Sequence, residues 1–450
     1  MTVASELDAG VCGRIWTSSV TERMLQRVCG DIGPHLAGSK GMADATEVVR
    51  AEMESGGAAR VRTEPVSLPL WERGDASVEI DGVLHGDGEV LQFLLSPPAD
   101  LTAPLVDVAD GSSGELDLAG DRVAGAILLM RDSCGPGTTR IIGERTIAAL
   151  EAGAQGAVVI SREAAGLSMS GFDDGMDGRT IPTVGVTRRL EPRLVDAARH
   201  GSQVRMITSG STHSVTCRNV VAEIGPDSGP MVILSAHLDG YDISPSASDN
   251  LSGVCCMLEM LSALAPCAPA FRRRLRFVAF TGEEIGFIGA RSYVTDRADE
   301  LDDIEFQFNM DSLFDDTADG IALFWARPAL AYLRGVTADT GRPVKVVDFL
   351  GSSSDYVPFE LAGVPTARPA TFRAGFPDWH HTPGDTPDRV SPDEIRLNAM
   401  PYAQMALRLA LADEPFPAPR LSRDQILAEI DRWGVREQWD RFAYLGLLRD

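Results

Sequence analysis

Three short strand-like runs, each leading into a histidine or acidic side chain, limit what this chain can become. "PMVILSAH" closes on His237, "RLRFVAFT" leads through Gly282 into Glu283 and Glu284, and "EFQFNMDS" reaches Asp311. Runs of four to eight apolar residues bounded by turn residues read as buried strands. Between the first two, residues 252–264 are apolar for long enough to read as a helix. Such alternation predicts an α/β fold: a mixed, mostly parallel sheet with helices on both faces. In sheets of this kind, ligand sites gather where the carboxyl ends of strands become loops.

The texture changes over residues 76–212. Short β-branched runs ("VAGAILLMRDS", "QGAVVIS", "IPTVGVT", "QVRMIT") alternate with Gly, Asp and Pro, and residues 140–154 and 189–198 read as helices. This predicts a small α/β module inserted into a larger domain. Residues 1–75 and 213–412 then form the larger domain, with helices over residues 18–56 broken at Gly33-Pro34 and a strand at "RVRTEPVSLPLWE". After the Pro-rich break "DEPFPAPR", residues 413–450 form a helical tail whose Trp433, Trp439, Phe442 and Tyr444 dock it on the body or on a second subunit of a homodimer.

Composition narrows the function. The chain has 450 residues, 44% apolar and 24% charged, enough to bury a large core. Its 41 basic and 65 acidic residues give a net charge of −24, which repels nucleic acid and anionic lipid. No run of 18 apolar residues occurs, so no membrane span is expected. "MTVASELDAG" has neither a basic start nor an apolar segment, so a cytoplasmic protein is expected. Seven cysteines without a CxxC pair fit reduced, buried thiols.

Five clusters carry the chemistry: His237-Leu238-Asp239, Asp249, Glu283-Glu284, Asp311 and His380-His381. A carboxylate at one strand end is ordinarily solvated, and Asp249 alone would suit a helix N-cap. Their conjunction at successive strand ends of one sheet points to metal. A hydrolytic zinc site uses His nitrogen and carboxylate oxygen with one position open, and a two-metal site needs about five ligands, one of them bridging. His237, Asp249, Glu284, Asp311 and His381 supply five, leaving Glu283 as a general base. Asp239, two residues from His237 on the same strand face, is placed to accept the other ring N–H of His237. Asp385 is a second outer carboxylate of this type.

At "AHLDGYD", "SASDNLSG", "FTGEEIGFIGARSYV", "FNMDS", "SSSDYVPF" and "WHHTPGDTPD" the chain resembles the co-catalytic zinc exopeptidase family of bacterial leucyl-type aminopeptidases and carboxypeptidase Q. The likeness covers residues 216–411 and, through "IGPHLAGSKG", residues 23–66. It implies two zinc ions, with Co2+ or Mn2+ as substitutes. His237 and Asp311 would serve one, Glu284 and His381 the other, and Asp249 both. His381 is preferred to His380 because the family ligand directly precedes Thr or Ser. A cis peptide after the bridging Asp is also implied. "SSDY" departs from the more usual Ser-Asp-His, which leaves Tyr356 either donating to the oxyanion of the reaction or packing. Residues 123–163 and 181–187 resemble a protease-associated domain, which roofs such sites.

The implied activity is removal of an N-terminal residue from a short peptide. Arg368 and Arg373 are candidate clamps for a substrate carboxylate, which would instead make the enzyme a dipeptidase, a carboxypeptidase or a hydrolase of small non-ribosomal amides. A one-zinc glutaminyl cyclase and a catalytically dead binding scaffold are the readings from other classes. The intact ligand set argues against both.

Overall fold

The computed structural model describes residues 3–132, 142–162, 166–171, 178–311, 313, 318–340, 342, 344–371, 377–441 and 444–448. Two eight-stranded sheets organise them. The strands of the first are β1 (Arg60–Glu72), β2 (Ser211–Ile224), β3 (Met231–His237), β4 (Arg274–Phe280), β5 (Ile304–Asn309), β6 (Ala318–Phe324), β7 (Lys345–Asp348) and β8 (Thr366–Thr371), in the order β1-β2-β4-β3-β5-β8-β6-β7. The central four, β4-β3-β5-β8, run parallel; β1, β2 and β6 pair antiparallel to their neighbours on the inner side. The fold is therefore the mixed α/β class that the strand–helix alternation predicts.

Side-chain period explains why β3 reads as a continuous apolar run. Val232, Leu234 and Ala236 point into one core, and Met231 and Ile233 into another on the opposite face. In β4, Leu275, Phe277 and Ala279 take the first core, while Val278 and Phe280 take the second. A strand covered on both faces has no solvent side to mark with polar residues. The helix Ser252–Leu264 covers the first face and is itself nearly all buried, between the sheet and the helices Val3–Trp16 and Pro392–Leu411. Residues 247–270 are long and apolar enough to cross a membrane, but most of that stretch is buried, as befits a core helix. Pro65 and Pro69 fall on β1, an edge strand, where an even spacing turns both missing donors to the same side.

The insert leaves and returns through one long ribbon. β1 pairs with β2 from Arg60↔Glu223 to Glu72↔Ser211, so residues 73–210 extend from its tip. The second sheet orders Val83–His85, Ala76–Ile80, Gln203–Thr208, Ala99–Asp107, Ile127–Arg131, Gly156–Ile160, Thr183–Val186 and Val90–Gln92, with four central strands parallel. It too is apolar on both faces: Ile127 and Leu129 enter one core, Leu128 and Met130 the other.

The tail docks on the body of its own chain. Helix Arg423–Trp433 starts with a capping box between Ser422 and Gln425. Beyond it, Trp439 lies edge-on to Trp325 at 6.1 Å and to Tyr444 at 5.4 Å, and the Tyr444 hydroxyl donates to the Ser352 carbonyl. Phe442 lies outside the described residues.

Candidate metal centre

Parallel strands bring their carboxyl ends to one edge, and the charged clusters meet there. His237 is the last residue of β3; Glu283 and Glu284 follow β4; Asp311 follows β5. Asp249 enters from the turn before helix Ser252–Leu264, and the Asp249–Asn250 peptide is cis, as the resemblance implies. His380 and His381 arrive on the loop after β8.

Three overlapping donor sets occur among the described residues, each with its ligand atoms within 4.8 Å of one another: His237/Asp249/Glu284, His237/Glu283/Asp311 and Asp249/His380/His381. Asp249 is common to two of them and faces both ways. Its Oδ1 lies 3.3 Å from His237 Nε2, while its Oδ2 lies 3.2 Å from His381 Nε2 and 3.0 Å from His380 Nε2. His237 Nε2 is also 3.8 Å from Asp311 Oδ1, and His381 Nε2 is 3.5 Å from Glu284 Oε2. His381 holds a left-handed backbone, φ +57°, unusual for a non-glycine residue and typical of sites whose surroundings over-determine the geometry.

Buried charge makes the cluster costly without a cation. Burial, and then repulsion by neighbouring carboxylates, pushes Glu284 well above the usual carboxylate range. Glu283 is raised in the same way, against the attraction of His237. Asp249 goes the other way: burial opposes it, but hydrogen bonds from His237, His380 and His381 hold it well below. Burial opposes His237 as well, but the charge of Glu283 and hydrogen bonds with Asp249 and Asp311 carry it well above an ordinary imidazole. His381 falls to about 4, from burial and the adjacent His380. Glu284 Oε1 is buried without a hydrogen-bond partner. Protons and cations compete for such oxygens, and a divalent ion satisfies them at neutral pH as the protons leave. Nitrogen and oxygen donors at this density fit zinc.

A polar frame fixes the backbone behind the ligands. Ser235, Gln307 and Asn309 share the His237 face of the sheet. Gln307 donates to Ser235 Oγ, Ser235 to Asn309 Oδ1 and Asn309 to Ser354 Oγ, each at 2.8 Å. Asn250 Nδ2 donates to the Met310 carbonyl at 3.0 Å, next to Asp311. Asp385 accepts from Ser248 N and Oγ (2.8 and 2.7 Å) and from Asp249 N (3.0 Å), so this carboxylate anchors the turn that carries Asp249.

One expectation is corrected at Asp239, Tyr356 takes the second of its two readings, and Arg373 falls outside the described residues. Asp239 does not receive the His237 ring N–H on its carboxylate: Nδ1 lies 2.9 Å from the Asp239 backbone carbonyl and 4.0 Å from Oδ1. The carboxylate instead accepts the amides of Glu283 (3.1 Å) and Glu284 (3.3 Å), because the chain turns sharply after β3 and lays Asp239 under the β4 loop. Tyr356 packs rather than facing the site. It is fully buried, stacked on Phe324 at 4.6 Å, with its hydroxyl accepting from Ser353 N at 3.2 Å. Arg373 lies outside the described residues, and Arg368 sits on β8 as the charge neighbour of buried Glu360.

The residue beside Tyr356 was missed. Asp355 is fully buried with both carboxylate oxygens lacking a hydrogen-bond partner, and its charge acts on the same pocket as His237, Asp239 and Asp311. Its place in "SSSDY", ahead of the short helix Tyr356–Leu361, was the available signal.

Known proteins resemble this chain in sequence and in fold. The model of peptidase family M28 matches residues 219–405, and that of the PA domain matches residues 101–191. Human carboxypeptidase Q is 27% identical over 406 residues, covering 86% of this chain and 84% of that protein. Leucine aminopeptidase 2 of Arthroderma otae is 27% identical over 415 residues, 84% of this chain and 80% of that one. Among solved structures, an M28 peptidase precursor from Shewanella amazonensis superposes with a TM-score of 0.80 at 22% identity, over 93% of this chain and 99% of that one. The zinc aminopeptidase BSAP of Bacillus subtilis gives 0.69 at 21%, over 90% and 98%. With its donor cluster at the carboxyl ends of β3, β4 and β5, the chain is a metallopeptidase whose residues 219–405 match peptidase family M28 and whose residues 101–191, in the insert, match the PA domain.

Proposed function

We propose that this chain is a di-zinc exopeptidase that removes the N-terminal residue of short peptides. The observation that carries the reading is the two-sided placement of Asp249, one oxygen toward His237 and the other toward His381. A carboxylate so placed joins two ligand sets, His237 with Asp311 and His381 with Glu284. His237, Asp311 and Asp249 would hold one zinc, and Glu284, His381 and Asp249 the other. Zinc bound there supplies Lewis acidity, polarising the scissile carbonyl and making water acidic near neutral pH.

The chain's own residues handle the proton. Glu283, partly buried and within reach of His237 and Asp311 but not one of the five ligands in this reading, accepts a proton from the attacking water at its carboxylate and passes it to the leaving amine. Asp239 holds the Glu283 and Glu284 amides and so fixes the base relative to its neighbouring ligand.

Dipeptidase or carboxypeptidase action is the second reading, favoured by the 27% identity with carboxypeptidase Q over most of both chains. One panel separates the two: amino-acid anilides, free dipeptides and N-blocked peptides, assayed with zinc analysis of the same preparation. Turnover of anilides with two zincs per chain supports the aminopeptidase. Cleavage confined to free dipeptides selects the second reading, and cleavage of N-blocked substrates alone removes the aminopeptidase reading.

A further inference from the structure

We propose that the inserted domain is part of the metal centre, and that Arg73 is the positioning residue through which it holds the His381 loop. The inference rests on the two-zinc reading above. Arg73 stands one residue past β1, where the chain leaves the peptidase sheet for the insert. Its guanidinium forks onto Asp242, with Nε 2.6 Å from Oδ2 and Nη2 2.6 Å from Oδ1. Asp242 lies on the loop between His237 and Asp249, three residues after Asp239. The same Nη2 donates to Ser170 Oγ at 3.2 Å, and Nη1 donates to the Gln92 carbonyl, both in the insert. The Ser170 hydroxyl also donates to Gln92 O at 3.1 Å. The Ser170 backbone N–H then donates to the His381 carbonyl at 3.0 Å.

One partly buried guanidinium thus ties the loop between His237 and Asp249 to the segment that grips His381. Two neighbouring contacts seat the same loop. Arg162 Nη2 of the insert donates to the Pro377 carbonyl at 3.3 Å, and Leu167 packs so closely on Gly384 that a Cβ there would come within 2.9 Å of it. His381 in a left-handed conformation needs this support, because its backbone does not favour that geometry by itself. A planar fork between two elements fixes orientation in a way a single charge cannot. Outer partners of metal ligands act in this manner, and removing them weakens metal affinity about 10- to 100-fold.

The test uses the full chain. Zinc is titrated against a chelator of known affinity, and kcat and KM are measured in parallel. For Arg73→Ala the more weakly held zinc is expected to bind about 10- to 100-fold less tightly. The expected kcat falls by a similar factor while KM stays within about threefold, and Arg73→Lys, which keeps charge and loses the fork, recovers only part. Arg441→Ala is the control. It breaks the tail–insert ion pair with Glu151 (3.1 Å), away from the His381 loop, and should leave zinc affinity unchanged. If Arg73→Ala does not fold, the isosteric Asp242→Asn carries the test with a smaller loss at the same zinc. Wild-type zinc affinity in Arg73→Ala or, failing that, in Asp242→Asn overturns the proposal, as does an equal loss in Arg441→Ala. Failure of the two-zinc reading is distinguishable, because it shows in the zinc content of the wild-type chain.

Discussion

The two sheets of this molecule share a plan and differ at one edge. Each has eight strands, four central parallel ones, and apolar side chains on both faces. Each also gathers charge where the parallel strands end. In the insert that charge is neutralised in place. Arg131, closing its strand, meets Asp107 at 2.7 and 2.9 Å and Glu191 at 3.0 Å. In the peptidase sheet the same edge collects Asp249, Glu283, Glu284, Asp311 and Asp355, and the charge partners of Asp249 and Glu284 are histidines. An arginine closes a sheet edge; a surplus of buried carboxylate keeps it open for a cation. Substitutions on the two edges should therefore behave differently.

The largest expected effect is at Asp249. Asp249→Ala removes the carboxylate common to two donor sets, so zinc content should fall from two per chain toward none and peptide hydrolysis to background. Elemental analysis after gel filtration reads this directly. One zinc retained at full occupancy would show that the carboxylate does not join two sites. Next is Glu283→Gln, which keeps shape and leaves the ligand set intact. Both zincs should remain while kcat drops about 10^4-fold, the contribution of a well-placed general base to activated water. Loss of zinc instead would exchange the roles of the two adjacent glutamates.

A pH series on zinc-free protein should give an intermediate effect. Glu283, Glu284 and Asp355 all have folded proton affinities raised by burial. A raised carboxyl stabilises the fold below its unfolded value of about 4–4.5 and loses that contribution as pH rises toward the folded value. Raised His237 has the same sign, with its contribution intact below about 6.5 and lost above. Depressed Asp249 and His381 have the opposite sign, Asp249 acting only below about pH 4 and His381 between about 4 and 6.5, where the several raised groups outnumber it. The chelated protein should therefore lose thermal stability from about pH 5 to pH 8, while the zinc-loaded protein holds its Tm over that range. A parallel decline in both forms would mean the carboxylates are satisfied without a cation.

How much of this was readable in advance follows from what each feature depends on. His237, the Glu283-Glu284 pair and Asp311 were legible because each closes or follows a buried apolar strand, and parallel strands send such residues to one edge. The insert was legible because its short β-branched runs have their own rhythm. Asp355 and Tyr356 were not separable. They are adjacent, and the start of helix Tyr356–Leu361 alone decides which faces the pocket and which packs on Phe324. The partner of Asp239 was misjudged because strand alternation stops at His237, and the turn beyond it reassigns the carboxylate to the Glu283 and Glu284 amides. Arg73 was invisible, since its partners at Asp242, Gln92 and Ser170 meet only when the insert is seated on the peptidase domain.

The smallest effect should come from the insert's closed edge, which makes it the sharpest control. Arg131→Met leaves Asp107 and Glu191 without their partner. Both are about a third exposed, at 34% and 30% of the side chain, so water takes over much of the lost interaction. The guanidinium holds Asp107 below the usual carboxylate range, chiefly through their hydrogen bonds, so the pair does contribute at neutral pH. For an exposed but forked pair the cost is about 1 kcal/mol or less, a fall of a few degrees at most in Tm. Zinc content, kcat and KM should not move, because Arg131 closes the insert's edge and not the catalytic one. A drop in zinc affinity here would mean that the two edges communicate through the body of the insert, and that arginine-paired charge on one sheet is not independent of the carboxylate surplus on the other.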